Sequence, residues 1–355
     1  MDKQGKFLYS SVKHSQGVPM KKTIKKIRNK WHSDLKYQEM LGTQNKIIQD
    51  LQEVNTNLQE VNTNLHINQA WILFQRHNLD FIVKNKTWFT EYTDYADFQS
   101  DKNIKDYLYN RDSLLGKFSP PEIKAYCEVC NKFSIMKSGY NEGFDGETYF
   151  CCGMNGRMRA MYEFISRTFK KGIKVYIQEA MTSAYDAYEK YFGPDNIAGS
   201  EYLGQDKICG EYYEYDGNRI MHQDCTKLSF TDNTFDLLIS QQVFEHVFDI
   251  KTALSESFRV LKDNGSCVIS IPFFYNSENS VMLAKQEGEN TIQLIDPPEI
   301  HGNPVSGTGS LVFWHHGWEF IRIMKYVGYS DARVRFFSNL YKGYLGLGLI
   351  ITGKK

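Results

Sequence analysis

The sequence predicts an α/β protein built on a doubly wound, mostly parallel sheet, with a helical stalk and a small cysteine-bearing unit ahead of it. Three observations carry this expectation. Residues 219–274 read as one β-α-β unit. Residues 174–179, KVYIQE, form a short apolar strand that ends in an acidic residue, at the edge where doubly wound sheets bind ligands. The heptad LQEVNTN is written twice in succession, at 51–57 and 58–64, which sets the N-terminal region apart.

At 355 residues the chain is long enough for one large or two ordinary domains, and its 41% hydrophobic content suits a globular core. Lysine plus arginine (42) balance aspartate plus glutamate (42), which argues against nucleic acid as a partner. The imbalance is local: Lys21, Lys22, Lys25, Lys26, Arg28 and Lys30 make residues 1–36 a basic, flexible segment. It reads either as a solvated tail or as a weak peripheral contact with anionic lipid or phosphate. No signal-peptide pattern or long apolar run is present, so the expected setting is cytoplasmic, with the seven cysteines reduced unless they bind metal.

Residues 37–75 are expected to be a coiled-coil helix. Ile47, Leu51, Val54, Leu58, Val61 and Leu65 alternate spacings of four and three, the seam through which a homo-oligomer would form. The other reading is an amphipathic helix lying on its own domain. Residues 76–122 follow as a helical, aromatic-rich connector with Trp88, Phe89, Tyr92, Tyr95, Phe98, Tyr107 and Tyr109, broken by Pro120-Pro121.

Residues 123–165 form the insert. Cys127 and Cys130 are followed by Cys151 and Cys152 after an interval similar to that between zinc-ribbon knuckles. Four thiolates could close a structural zinc site, although the second half is an adjacent pair rather than Cys-x-x-Cys. A reduced cysteine cluster in a hairpin is the alternative. Arg157 and Arg159, just beyond, suit either an anion on an acceptor or ordinary salt bridges.

Residues 166–355 hold the sheet. After the strand at 174–179, residues 196–203 look like the second strand, 221–225 the end of the third and 235–240 the fourth. Asp249 caps a helix whose Ala253, Leu254, Phe258 and Leu261 share one face, with Gly265 as its left-handed C-cap. Residues 267–272 return as the fifth strand. A long connection, 275–309, follows at the ligand-binding edge, which makes His301 and Glu299 acceptor-side candidates. His301 is either a base for an acceptor hydroxyl or a cap on the Gly-Asn-Pro turn.

The words FDLLISQQVFEHV, ALSESFRVLKDNGSCVISIPF and HGNPVSGTGSLVF resemble the class I S-adenosylmethionine-dependent methyltransferases. The likeness is to a type 11-like branch with "EHV" and "HGNP" and an upstream cysteine cluster, often associated with surface-glycan modification. The resemblance implies a Rossmann-like methyltransferase sheet, with residues 332–337 and 345–351 as its closing β-hairpin and S-adenosyl-L-methionine as cofactor. By position it assigns Glu201 to the ribose hydroxyls, Asp224 and Cys225 to the adenine, and Glu179, Ser240 and Gln241 to the cofactor edge. A Gly-x-Gly loop normally follows the first strand; here residues 180–184 read AMTSA, so Thr182 and Ser183 hydroxyls take the methionine end. His246 is either a catalytic histidine or a packed structural one. The implied acceptor is a small molecule or glycan modified on oxygen. A degenerate, non-catalytic scaffold on the stalk and an RNA-modifying enzyme are the alternatives.

Overall fold

In the computed structural model the residues described are 42, 46–59, 88–106, 108, 122–139, 147–149, 152–288, 290–339 and 342–355. The basic segment 1–36, most of the second heptad, Tyr107, Tyr109, Pro120-Pro121 and Cys151 lie outside them. The chain divides into two units, residues 1–72 and 73–355. Of the first, residues 46–59 are helical (α1), and Ile47, Leu51, Val54 and Leu58 on its predicted seam are each more than half exposed.

Residues 76–122 were expected to be a helical connector, but the first described residues of the second unit form a strand. Residues 88–92, Trp88–Tyr92, are β1, paired antiparallel with a strand more than 240 residues later, so residues 76–122 contribute an edge of the main sheet. Among the described residues of this stretch α2 (Tyr95–Ser100) and α3 (102–106) are helical, and Phe98 of α2 is fully buried against Phe336 and Trp318. The insert is a three-stranded antiparallel sheet of β2 (Glu122–Cys127), β3 (Lys132–Gly139) and β4 (Glu147–Tyr149). It ends earlier than expected. Asn155 caps α4 (Gly156–Thr168) by accepting from the Met158 amide at 2.9 Å, and α4 then covers the main sheet with Met161 and Ile165 wholly buried.

The sheet itself is laid down by β5 (Val175–Ile177), α5 (Ser183–Phe192), β6 (Ile197–Glu201), β7 (Tyr212–Tyr215), β8 (Asn218–His222), β9 (Phe235–Gln241), α6 (Ile250–Val260) and β10 (Leu261–Ser270). Three short ribbons follow: β11 (Val281–Met282) pairs with β16 (Trp314–His315), β12 (Ala284–Glu287) with β13 (Asn290–Gln293), and β14 (Ile300–Asn303) with β15 (Ser306–Leu311). Helix α7 (Glu319–Val327) and the hairpin β17 (Arg333–Asn339) and β18 (Tyr344–Lys354) close the chain. Strand order is β1-β17-β18-β10-β9-β5-β6-β8-β7. The five strands from β10 to β8 are parallel, while β18 enters antiparallel beside β10, as the predicted closing hairpin requires.

Local chemistry explains these choices. FDLLISQ is almost entirely buried in β9, as a parallel strand covered on both faces must be. The turn Asp216-Gly217, both with positive φ, joins β7 to β8 and adds an edge strand the sequence reading did not anticipate. Asp249 caps α6 as expected, accepting from the Thr252 amide at 3.0 Å. Gly265 is not its C-cap: the helix stops at Val260, the chain passes directly into β10, and Asn264 takes the left-handed conformation (φ 65°) in a bulge. One face of the sheet packs on α6 and α7 through Leu254, Ile321 and Met324; the other packs on α4 and α5 through Ile165, Ala184 and Tyr188. Among the described residues no helix is long and apolar enough to cross a membrane.

Candidate active site at the carboxyl edge of the sheet

Strand order runs outward in both directions from the adjacent pair β5 and β9, so their carboxyl ends flank the crevice where open α/β sheets take ligands. Glu179 leaves β5 there, buried. Its carboxylate accepts from the backbone amide of Gln241 at 3.1 Å and from the Gln241 side-chain amide at 3.0 Å, which ties the two strand ends together. Burial pushes the Glu179 carboxyl well above the usual range, against those bonds and the nearby charge of Arg157. Arg157 arrives from the first turn of α4 and donates to the Ser270 hydroxyl at the end of β10, at 3.0 Å. Arg159 does something else: fully buried, it donates to the carbonyl of Lys342 at 2.8 Å and fixes α4 to the closing hairpin.

Glu201 is the last residue of β6. Its Oε1 accepts from the Met181 amide at 2.7 Å, and burial raises its carboxyl to about 7. The glycine-free loop is therefore held from below, because the Ala180 amide also donates to the Ser200 carbonyl at 3.1 Å. Thr182 is the N-cap of α5, its hydroxyl accepting from the Tyr185 amide at 3.2 Å, and the Ser183 hydroxyl donates to the Gly153 carbonyl at 3.1 Å. Both hydroxyls thus hold local backbone. Beside the loop lie polar atoms of another kind: both side-chain amide atoms of Gln178, the Ser240 hydroxyl and Gln241 Oε1 are buried without a protein partner. Such atoms at a ligand-binding edge fit a bound polar group.

Past β8, the Gln223 amide donates to the Glu201 carbonyl at 3.0 Å and so brings Asp224 and Cys225 to the same edge. Asp224 Oδ1 accepts from the amide and hydroxyl of Thr226 at 2.8 and 2.7 Å, a local turn, and burial pushes the Cys225 thiol up.

On the other side of β9, residues 244–246 make a single 3₁₀ turn. Glu245 there is fully buried. His246 Nδ1 lies 2.8 Å from the Leu311 carbonyl, and burial lowers the ring to about 4, so the imidazole is neutral at physiological pH. His301, on β14, faces it edge-on with ring centroids 5.3 Å apart. His301 Nε2 stands 3.0 Å from Glu299 Oε1, and His315 Nε2 stands 2.7 Å from Glu299 Oε2. The turn that His301 was expected to cap is held by Asn303 instead, whose side chain accepts from the Val305 amide at 2.8 Å. His315 was missed by the sequence reading, and Glu245 was placed at this edge with His246 but given no role. Glu245 stood in plain view in the "EHV" word; His315 is brought in by the fold of the long connection.

Three of the four cysteines singled out come together in the insert. The sulfurs of Cys127, Cys130 and Cys152 lie within 4.8 Å of one another, Cys127 to Cys152 at 3.8 Å, and Cys151 lies outside the described residues. Sulfurs about 2.3 Å from a tetrahedral zinc sit roughly 3.8 Å apart, so the donor set fits the ion. The contact with Cys152 and the Cys130 amide at 3.4 Å favour thiolate on Cys127, bringing it down to about 5, while Cys152 keeps the proton.

Residues 183–269, from the start of α5 into β10, match the family model of a methyltransferase domain. Over that stretch the chain is similar to a methyltransferase domain. This stretch contains the ends of β6, β8 and β9 and thereby Ser183, Glu201, Asp224, Ser240, Gln241, Glu245 and His246. The demethylmenaquinone methyltransferase of Bacteroides fragilis is 35% identical over 81 residues, 23% of this chain and 33% of that protein. The chain thus spans a third of the length of the curated relative it matches. Among solved structures, an S-adenosylmethionine-dependent methyltransferase from Mesorhizobium loti is 13% identical over 57% of this chain and 100% of its own, with a TM-score of 0.39. The 1,6-didemethyltoxoflavin-N1-methyltransferase of Burkholderia thailandensis is 15% identical over 56% and 78%, with a TM-score of 0.34.

Proposed function

We propose that the chain is an S-adenosylmethionine-dependent methyltransferase that modifies an oxygen of a sugar, glycan or related small acceptor. The observation that carries this reading is Glu201, a buried carboxylate at the end of β6 and the edge of the cofactor loop, inside the matched domain. A carboxylate there accepts two hydroxyl hydrogen bonds from a vicinal diol, as the ribose of this cofactor offers. The partnerless polar atoms of Gln178, Ser240 and Gln241 beside it fit a polar ligand. Asp224 and Cys225 take the adenine end, and Glu179, tied to Gln241, keeps the strand ends in place. The bound cofactor supplies a methyl group already activated by its sulfonium. The chain's part is then alignment and exclusion of water, with a proton acceptor needed only as a hydroxyl is methylated. The cluster of Glu245, His246, His301, Glu299 and His315 supplies polar chemistry suited to an oxygen acceptor, and its "HGNP" word supports the glycan branch.

Further parts of the reading are a structural zinc on Cys127, Cys130 and Cys152 with Cys151, a homo-oligomer formed through α1, and a cytoplasmic setting. Calorimetric titration with S-adenosylmethionine and its demethylated product tests the central reading. Wild type should bind both, and Glu201→Ala should lose on the order of 1.5 to 3 kcal/mol through the paired ribose hydrogen bonds. Folded wild type that shows no binding at millimolar ligand would favour the non-catalytic scaffold.

A further inference from the structure

We infer that Glu245, His246 and His301 form a binding site for a divalent first-row transition-metal ion, separate from the cysteine cluster. Their ligand atoms all lie within 4.8 Å of one another. Glu245 Oε1 is 3.9 Å from His246 Nε2 and 3.9 Å from His301 Nδ1. Donor atoms about 2.0–2.2 Å from an ion sit roughly 3 to 3.5 Å apart, so Glu245 needs to draw in toward each ring by only about half an ångström.

The tautomers decide what the two rings offer. The Leu311 carbonyl can only accept, so His246 carries its proton on Nδ1 and presents a lone pair on Nε2, the nitrogen nearer Glu245. Glu299 orients His301 in the same way: Nε2–H donates to the carboxylate at 3.0 Å, which leaves the lone pair on Nδ1, again the nitrogen nearer Glu245. A backbone carbonyl behind one imidazole and a carboxylate behind the other is the outer arrangement that orients histidine ligands. His315 steadies that carboxylate from its far side at 2.7 Å. The frame is tied as well, since the Phe313 amide donates to the Glu245 carbonyl at 2.8 Å and holds the connection against the 3₁₀ turn.

Two imidazoles and one carboxylate suit Zn²⁺, Fe²⁺, Co²⁺ or Mn²⁺ better than Mg²⁺ or Ca²⁺, and three protein ligands leave coordination positions open. On the methyl-transfer reading, those positions would hold an acceptor oxygen; that extension alone rests on it, and metal binding stands apart.

Titration of the full-length protein with Co²⁺, followed by its electronic spectrum, separates the two metal sites. Cobalt on the cysteines shows sulfur-to-metal charge transfer, and cobalt on Glu245, His246 and His301 shows only ligand-field bands. The expected result is one equivalent of the second kind in the Cys127→Ser/Cys130→Ser variant. It should be lost in His301→Ala, a residue on a partly exposed ribbon, and weakened about 10- to 100-fold in Glu299→Gln. A cobalt-dependent rise in Tm should accompany it in the Cys127→Ser/Cys130→Ser variant but not when His301→Ala is added to that variant. Absence of sulfur-free cobalt binding, or binding unchanged in His301→Ala, would overturn the site whether or not S-adenosylmethionine binds.

Discussion

Glu201 sits where two demands oppose each other, and replacing it with glutamine separates them. Burial raises its carboxyl from an ordinary value near 4.5 to about 7, so between those values the folded protein holds a proton that the unfolded chain has released. Ionising the group at higher pH therefore works against folding. The penalty is absent below 4.5, grows as pH rises through the window and reaches about 3 kcal/mol above 7, at about 1.36 kcal/mol per pKa unit. Glu201→Gln keeps the side-chain shape and an oxygen to accept from the Met181 amide, but cannot ionise. In thermal unfolding across pH 5 to 8, the two proteins should differ by less than about 1 kcal/mol at pH 5. By pH 8 the variant should be the more stable by roughly 2 to 3 kcal/mol, about 5 °C in Tm for a domain of this size.

Cofactor affinity should move the other way. On the proposed reading ribose hydroxyls donate to the ionised carboxylate, so wild-type affinity for S-adenosylmethionine should rise about tenfold per pH unit up to 7 and then level off. Glu201→Gln should bind weakly at every pH. A variant less stable than wild type at pH 8, or an offset that does not change with pH, would refute the claim that burial of the charge dominates at this position.

Elemental analysis of the His301→Ala variant after metal-free purification should find near-stoichiometric zinc that disappears when Cys127→Ser/Cys130→Ser is added; less than a tenth of an equivalent in folded His301→Ala would make the cluster non-metallic. Deleting the residues before about Trp71, or replacing Leu51 and Leu58 with lysine, should lower the subunit number in light scattering while leaving cofactor affinity within about threefold, because charges in an apolar seam disfavour pairing. Equal subunit numbers in full-length and truncated chains would locate the oligomer interface elsewhere.

How much of this was legible depended on the range of the interaction. The unit β9-α6-β10 could be read closely because a continuous apolar strand, an aspartate cap and an amphipathic stripe are all local signals. Residues 88–92 could not. WFTEY carries no clean alternation, and its pairing with residues near 337 is invisible at that distance in sequence. The end of α6 failed for a subtler reason: a glycine five residues past the helix looks like a cap, yet β10 begins at once and Asn264 absorbs the left-handed turn. The positions of the candidate residues Glu179 and Glu201 were legible because strand ends fix position along the edge. Thr182 and Ser183 were named for a ligand, and their hydroxyls instead hold the helix start and Gly153.

The missing glycine loop has a structural counterpart in the same carboxylate that the cofactor reading needs. In this chain the turn after β5 is pinned by two bonds into β6, one from the Ala180 amide to Ser200 and one from the Met181 amide to Glu201 Oε1. A loop fixed this way needs less of the conformational freedom that glycine supplies, since its amides already have acceptors. Only Oε1 enters the bond to Met181, so the carboxylate retains acceptor capacity through Oε2. On the proposed reading, loop order and ribose binding are coupled through one side chain, and ordering the turn also shapes the edge at which the ligand would land. That coupling would make an AMTSA loop compatible with a cofactor-binding edge, with β6 rather than the loop itself holding the turn in place.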